Sequence, residues 1–168
     1  MIPKTRNSNR NNVASILKMA NVASAPVDVK KIAELLGFQV IPFSFPDKRR
    51  GVTHIEDDVM AIGVNSRHSA VMQRYTIAHE LGHYLCGHQM YEKTFVDDET
   101  KYYDHHFQQE KEADAFAAEL LMPKEFLERD LAKYGLDIPK LKELYQVSKQ
   151  ALWIRLTSLR LAEKYSKR

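Results

Sequence analysis

Apolar positions recur at helical spacing between Asn12 and about Ala23, where Val13, Ile16, Leu17 and Ala20 share a face. They predict a short amphipathic helix behind a loose polar leader over residues 1–10. Pro26 interrupts the pattern. Asp28 then stands as the N-cap of a second helix, Val29 to Leu36, with Ile32, Leu35 and Leu36 on its apolar face and Gly37 as its stop. Phe38 to Phe43 is β-branched and aromatic, which predicts a strand, and Pro46-Asp47-Lys48 predicts a turn. Gly51 to Ile55 and Val59 to Asn65 predict a hairpin joined at Glu56-Asp57-Asp58. The second of these strands is apolar on both faces, so both faces are expected to be covered.

Helical periodicity returns from Ser69 to Gly87 or His88. The stretch 89–109 is polar and has no clear period, and such long irregular loops are often functional. The run EKEADAFAAELLM predicts a helix from Glu110 to Met122, after which Pro123 ends it or opens the next. Phe126, Leu127 and Leu131 continue a helical pattern. The tail predicts two more helices, Pro139 to Tyr145 and Ser148 to Lys164, broken at Gln146-Val147.

Composition narrows the class. A chain of 168 residues with 44% hydrophobic and 28% charged residues reads as one globular domain, 1–135, carrying a helical hairpin at 136–168 packed on it. The net charge of +3 is too mild to argue for nucleic acid. The single cysteine, Cys86, excludes an intramolecular disulfide and fits a reducing compartment. The polar leader has no apolar core of a secretory signal, and no 18-residue apolar run exists. A cytoplasmic location is therefore expected.

The chemistry centres on His79-Glu80-Leu81-Gly82-His83. Residues four apart on a helix share a face, with Cβ atoms about 5–6 Å apart. His79 and His83 can thus both reach one ion at the roughly 2.0–2.1 Å of a zinc–nitrogen bond. Glu80 flanks that position without binding, which suits a general base acting on water. A zinc hydrolase needs a third protein ligand. Projection of the second long helix from Glu110 puts Asp114 about 40° away and Ala113, Ala117 and Leu121 along the same face. Small residues there would allow close approach to the motif helix, and so would Gly82. Glu110 is the expected third ligand, and Asp114 the acceptor for a ring N–H of a ligating histidine. Glu112 and Glu119 project away and read as solvated charges. Cys86, two turns from His79, reads as packing. His88 projects to the opposite side and reads as a packed or capping residue rather than a ligand.

Two further features carry weaker expectations. Tyr103, His105 and His106, just before Glu110, are candidate stabilisers of an oxyanion. The tail has the outline of a helix-turn-helix in which Lys149, Arg155, Arg160 and Lys164 would face phosphates. Its apolar content favours packing or partner docking over DNA. A DNA- or protein-binding regulator with a vestigial metal site, and a metal hydrolase of a non-protein substrate, are the alternatives to a protease.

The runs RYTIAHELGHYLCGH and EKEADAFAAELLMP closely resemble the ImmA/IrrE family of metallopeptidases, as do GVNSRHSAVMQR and PVDVKKIAELLGFQV. In length the chain is more similar to the stand-alone ImmA type than to the longer IrrE type. The resemblance implies a gluzincin-like α+β fold with a small mixed or antiparallel sheet beside the zinc helix. It assigns His79, His83 and Glu110 as ligands of one Zn2+ and Glu80 as the catalytic glutamate. The implied partner is a helix-turn-helix repressor, often encoded nearby in a mobile element, which the protease cleaves. The strand Val59 to Asn65 is expected to present an edge to which an extended substrate adds.

Overall fold

The computed structural model describes residues 13–45, 49–56, 59–88, 94–97 and 107–166, with 94–97 as backbone. The order of elements is α1 (Val13–Met19), α2 (Val29–Leu35), β1 (Gln39–Phe43), β2 (Gly51–Glu56), β3 (Val59–Asn65), α3 (Ala70–Cys86) and β4 (Thr94–Asp97). Then follow α4 (Phe107–Leu121), α5 (Lys124–Tyr134), α6 (Ile138–Tyr145), α7 (Lys149–Ser158) and α8 (Leu161–Ser166). The architecture is α+β, as the family resemblance implies. The predicted turn at 46–48 and the hairpin tip at 57–58 lie outside the described residues.

Local chemistry explains most boundaries. The Asp28 side chain accepts from the backbone of Lys31 at 3.0 Å, and Ser69 accepts from Met72 at 3.3 Å. Gly37 and Gly87 end their helices in the left-handed region, which glycine adopts without a Cβ clash. Two boundaries differ from expectation. The last predicted helix is two, α7 and α8, because Arg160 turns left-handed at φ 57° and brings Leu161 back into the core. The polar stretch 89–109 contains a strand, β4, which pairs antiparallel with β2. Its pairing partner lies some forty residues earlier, so no local period announces it.

The sheet has the order β1-β3-β2-β4, with β1 and β3 parallel and the other pairs antiparallel. This corrects the expectation for β3. Both of its backbone edges are occupied, by β1 and β2, so no substrate strand can add to it. Both β3 and β2 lie against the motif helix, and β2 is the strand that meets Glu80. Its burial alternates, and Gly51 and Thr53 point inward.

Helices α3 and α4 make the closest helix pair. A Cβ at Gly82 would lie 2.9 Å from the Ala113 carbonyl oxygen and 3.0 Å from its Cα. The neighbour is backbone, so it cannot yield without moving α4. Gly82→Ala is therefore expected to destabilise the fold. Overpacking of about 1–3 kcal/mol outweighs the ~0.5–1 kcal/mol that alanine gains inside a helix. Denaturant midpoints would check this, and a more stable variant would refute the close approach.

The core is continuous from this pair into the tail. Leu81, Leu120, Leu127, Tyr145, Leu152 and Leu156 belong to one buried cluster. Arg155, one of the cations considered for phosphate contact, is half-buried and donates from Nε to the Met122 carbonyl at 3.2 Å. Burial lowers its pKa, with Glu119 and Glu125 opposing. Asp130, also buried, accepts from the Tyr145 hydroxyl at 2.7 Å and from Arg129 Nε at 2.9 Å, so its charge has partners.

Candidate metal centre

Helix α3 delivers His79, Glu80 and His83 to the interior, at 1%, 0% and 0% exposure. The Nε2 atoms of His79 and His83 lie 3.0 Å apart. From α4, Glu110 places one carboxylate oxygen 3.2 Å from His79 Nε2 and the other 3.2 Å from His83 Nε2. Among the described residues, these three form the one group of His, Cys, Asp or Glu side chains close enough to share an ion. Atoms about 3.0–3.4 Å apart are what an ion at roughly 2.0–2.1 Å from each requires, so the donor set fits a tetrahedral metal with one position left open.

The electrostatics favour the ligand forms. Burial lowers the His83 pKa, more than Glu110 raises it, so the ring stays neutral below the ordinary histidine range. Burial alone would raise Glu110. Hydrogen bonding and charge from His79 and His83 outweigh it and hold the carboxyl well below its usual value.

Around the centre, each histidine has a partner at its second nitrogen. Asp114 Oδ1 lies 2.8 Å from His79 Nδ1 and also accepts from the Tyr75 hydroxyl. Burial pushes the Asp114 carboxyl up, but His79 and Tyr75 together bring it below the ordinary range. His83 Nδ1 lies 2.9 Å from His88 Nδ1, and His88 Nε2 lies 3.1 Å from Glu112. Glu80 accepts from the Thr53 hydroxyl on β2. A Cβ at Gly51 would sit 3.5 Å from Glu80 Oε1 and collide with Thr76. The strand thus rests directly on the glutamate.

Several expectations change here. His88 does not project away from the histidines, because Gly87 takes the chain off the helix and the 100° repeat no longer applies to it. Glu112 is solvent-exposed as expected, yet it is bonded to His88. Cys86 is exposed rather than packed, and partial desolvation of its thiol, followed by the Glu112 charge, raises its pKa. Tyr103, His105 and His106 lie outside the described residues. Thr53 went unrecognised because nothing in its own segment marks it; only strand register brings it to Glu80. The signal for His88 was present, a glycine at a helix end one residue before a histidine.

Beside the centre a groove of about 380 Å³ begins at Tyr75 and Asp114 and runs between Met72, Leu121, Ala151 and Ile154. Its walls are mainly aliphatic.

The family profile of the IrrE N-terminal-like domain, peptidase family M78, matches residues 33–157. That is well over half of the chain. The chain belongs to the ImmA/IrrE family of metallopeptidases. The matched span takes in α3 and α4 and so every member of the His-His-Glu group. For this M78 chain, family and donor set together imply a metal. Among solved structures, a Mycobacterium tuberculosis transcriptional regulator superposes with a TM-score of 0.61 at 16% identity, over 88% of this chain and 48% of that one. The likeness shows a shared fold, and the chain spans about half the length of that structure. No curated protein matches the chain significantly. No described helix of this M78 domain is long and apolar enough to cross a membrane.

Proposed function

We propose that the chain is a zinc-dependent endopeptidase that cleaves a helix-turn-helix transcriptional repressor in the cytoplasm. The observation that carries the reading is the convergence of His79 Nε2, His83 Nε2 and the Glu110 carboxylate beside a buried Glu80. In this reading His79, His83 and Glu110 hold the ion. A zinc ion in such a set supplies Lewis acidity, polarising a carbonyl and acidifying water. Glu80 takes the proton of the attacking water and hands it to the leaving amine. The Thr53 hydroxyl occupies one Glu80 oxygen and orients the carboxylate. Asp114 fixes the ring of His79. The aliphatic groove at Tyr75 and Asp114 supports a polypeptide substrate, since it offers an apolar side chain a seat next to the reacting groups.

Membership of the ImmA/IrrE family supports a repressor as substrate, and the structural neighbour being a transcriptional regulator fits the same setting. We read residues 1–135 as the peptidase body and 136–168 as a helical unit packed on it. The test is incubation of the zinc-loaded protein with a helix-turn-helix repressor drawn from the neighbouring reading frames. Two fragments should appear, vanish with a chelator and return with added zinc. An intact repressor in the presence of fully metal-loaded protein would refute the substrate.

A further inference from the structure

We propose that His88 and Glu112 form a relay that holds His83 in its ligating tautomer, set in place by the helix end at Gly87. The inference rests on the reading of the centre as a metal site. A histidine that offers its Nε2 lone pair to an ion carries its hydrogen on Nδ1. For His83 that hydrogen points at His88 Nδ1, 2.9 Å away. His88 must then be bare at Nδ1 and carry its own hydrogen at Nε2. That nitrogen lies 3.1 Å from Glu112 Oε2, an acceptor, while Gln108 donates to the other Glu112 oxygen at 2.8 Å. Every hydrogen in the sequence His83, His88, Glu112 has one acceptor. The reverse polarity would aim an N–H of His83 at the metal.

The backbone explains how His88 arrives there. Gly87 is left-handed at φ 72°, its N–H bonds the Tyr84 carbonyl at 3.2 Å, and the His88 N–H bonds the His83 carbonyl at 3.0 Å. This paired closure of a helix end folds His88 back over the last turn, onto the residue whose carbonyl it caps. The His88 side chain is nearly buried at 5% exposure. On α4, three alternate carboxylates divide the work: Glu110 meets both ligating rings, Asp114 meets His79, and Glu112 meets His88. The two histidine ligands are thus held differently, His79 by a carboxylate directly and His83 through a second imidazole.

Zinc affinity, measured by competition with a chromogenic chelator, tests the relay. His88→Ala should weaken zinc binding by about 10–100-fold, the usual loss when a ligand's outer partner is removed. His88→Gln, whose amide oxygen can accept the His83 hydrogen, should recover part of it. Glu112→Ala should weaken binding less than His88→Ala does, and should add nothing in the His88→Ala background, because Glu112 acts only through His88. Nitrogen spectra of the zinc-loaded protein should show His88 bare at Nδ1 and protonated at Nε2. Wild-type affinity in His88→Ala, an equal Glu112→Ala effect with and without His88, or the opposite His88 tautomer would each overturn the relay. Should His88→Ala fail to fold, the Glu112→Ala comparison in the His88→Gln background and the tautomer decide it. A wild-type protein that takes up no zinc overturns the metal reading itself, and the relay with it.

Discussion

Glu80→Gln is expected to lower kcat/KM for repressor cleavage by about 10²–10⁴-fold, or roughly 3–5 kcal/mol of transition-state stabilisation, while zinc stays bound. The amide is the same size as the carboxylate but cannot accept the proton of water. Glu80 is fully buried between α3 and β2, so no bulk water substitutes for it. The proposed ligand atoms belong to His79, His83 and Glu110, none of which the change touches. Zinc content should therefore remain near one per chain. The Thr53 hydroxyl can still hydrogen-bond the amide oxygen, which keeps the side chain in place. Thr53→Val should give a smaller loss of turnover by leaving the Glu80 carboxylate unoriented. Near-normal cleavage by Glu80→Gln would assign the base elsewhere.

His83→Ala removes a proposed ligand, and its effect should appear first in stability. A ligand that binds only the folded state stabilises it by about 4 kcal/mol when present at a thousand times its Kd. For a domain of this size that is a rise in Tm of roughly 8–16 °C. The wild-type protein should show such a zinc-dependent rise, and His83→Ala should show almost none. Cleavage should fall with it. The metal-free variant should also melt below the metal-free wild type, because a fully buried ring is lost and His88 loses its partner. Calorimetry with and without zinc separates the two contributions. An unchanged zinc response in His83→Ala would move the metal away from this centre.

Both expectations rest on features that differ in how far the residue order reveals them. The helical period over Ser69 to Gly87 and over EKEADAFAAELLM places His79 with His83, and Glu110 with Asp114, before any contact between the helices is known. The cap Asp28 and the stop Gly37 were equally legible, because each satisfies or turns its own backbone. Gly82 signalled close approach, and the approach is to the backbone of Ala113.

Other parts depend on partners far along the chain. The four-residue strand β4 exists through its pairing with β2, and β3 lies inside the sheet because β1 runs parallel to it. Thr53 reaches Glu80 through strand register, and a one-residue slip would turn it to the other face. His88 was misjudged by a helical projection continued past a left-handed glycine, where the repeat ends, and Cys86 by the general tendency of a lone cysteine to pack, which its exposed place at the helix end overrides. By itself, the sequence determined which candidate donors share a helix face, His79 with His83 and Glu110 with Asp114, since spacing within one helix is fixed by the helix's own hydrogen bonds. Only the tertiary structure decided what holds those donors and their base, since the side chains involved meet through the packing of α3 against α4 and β2.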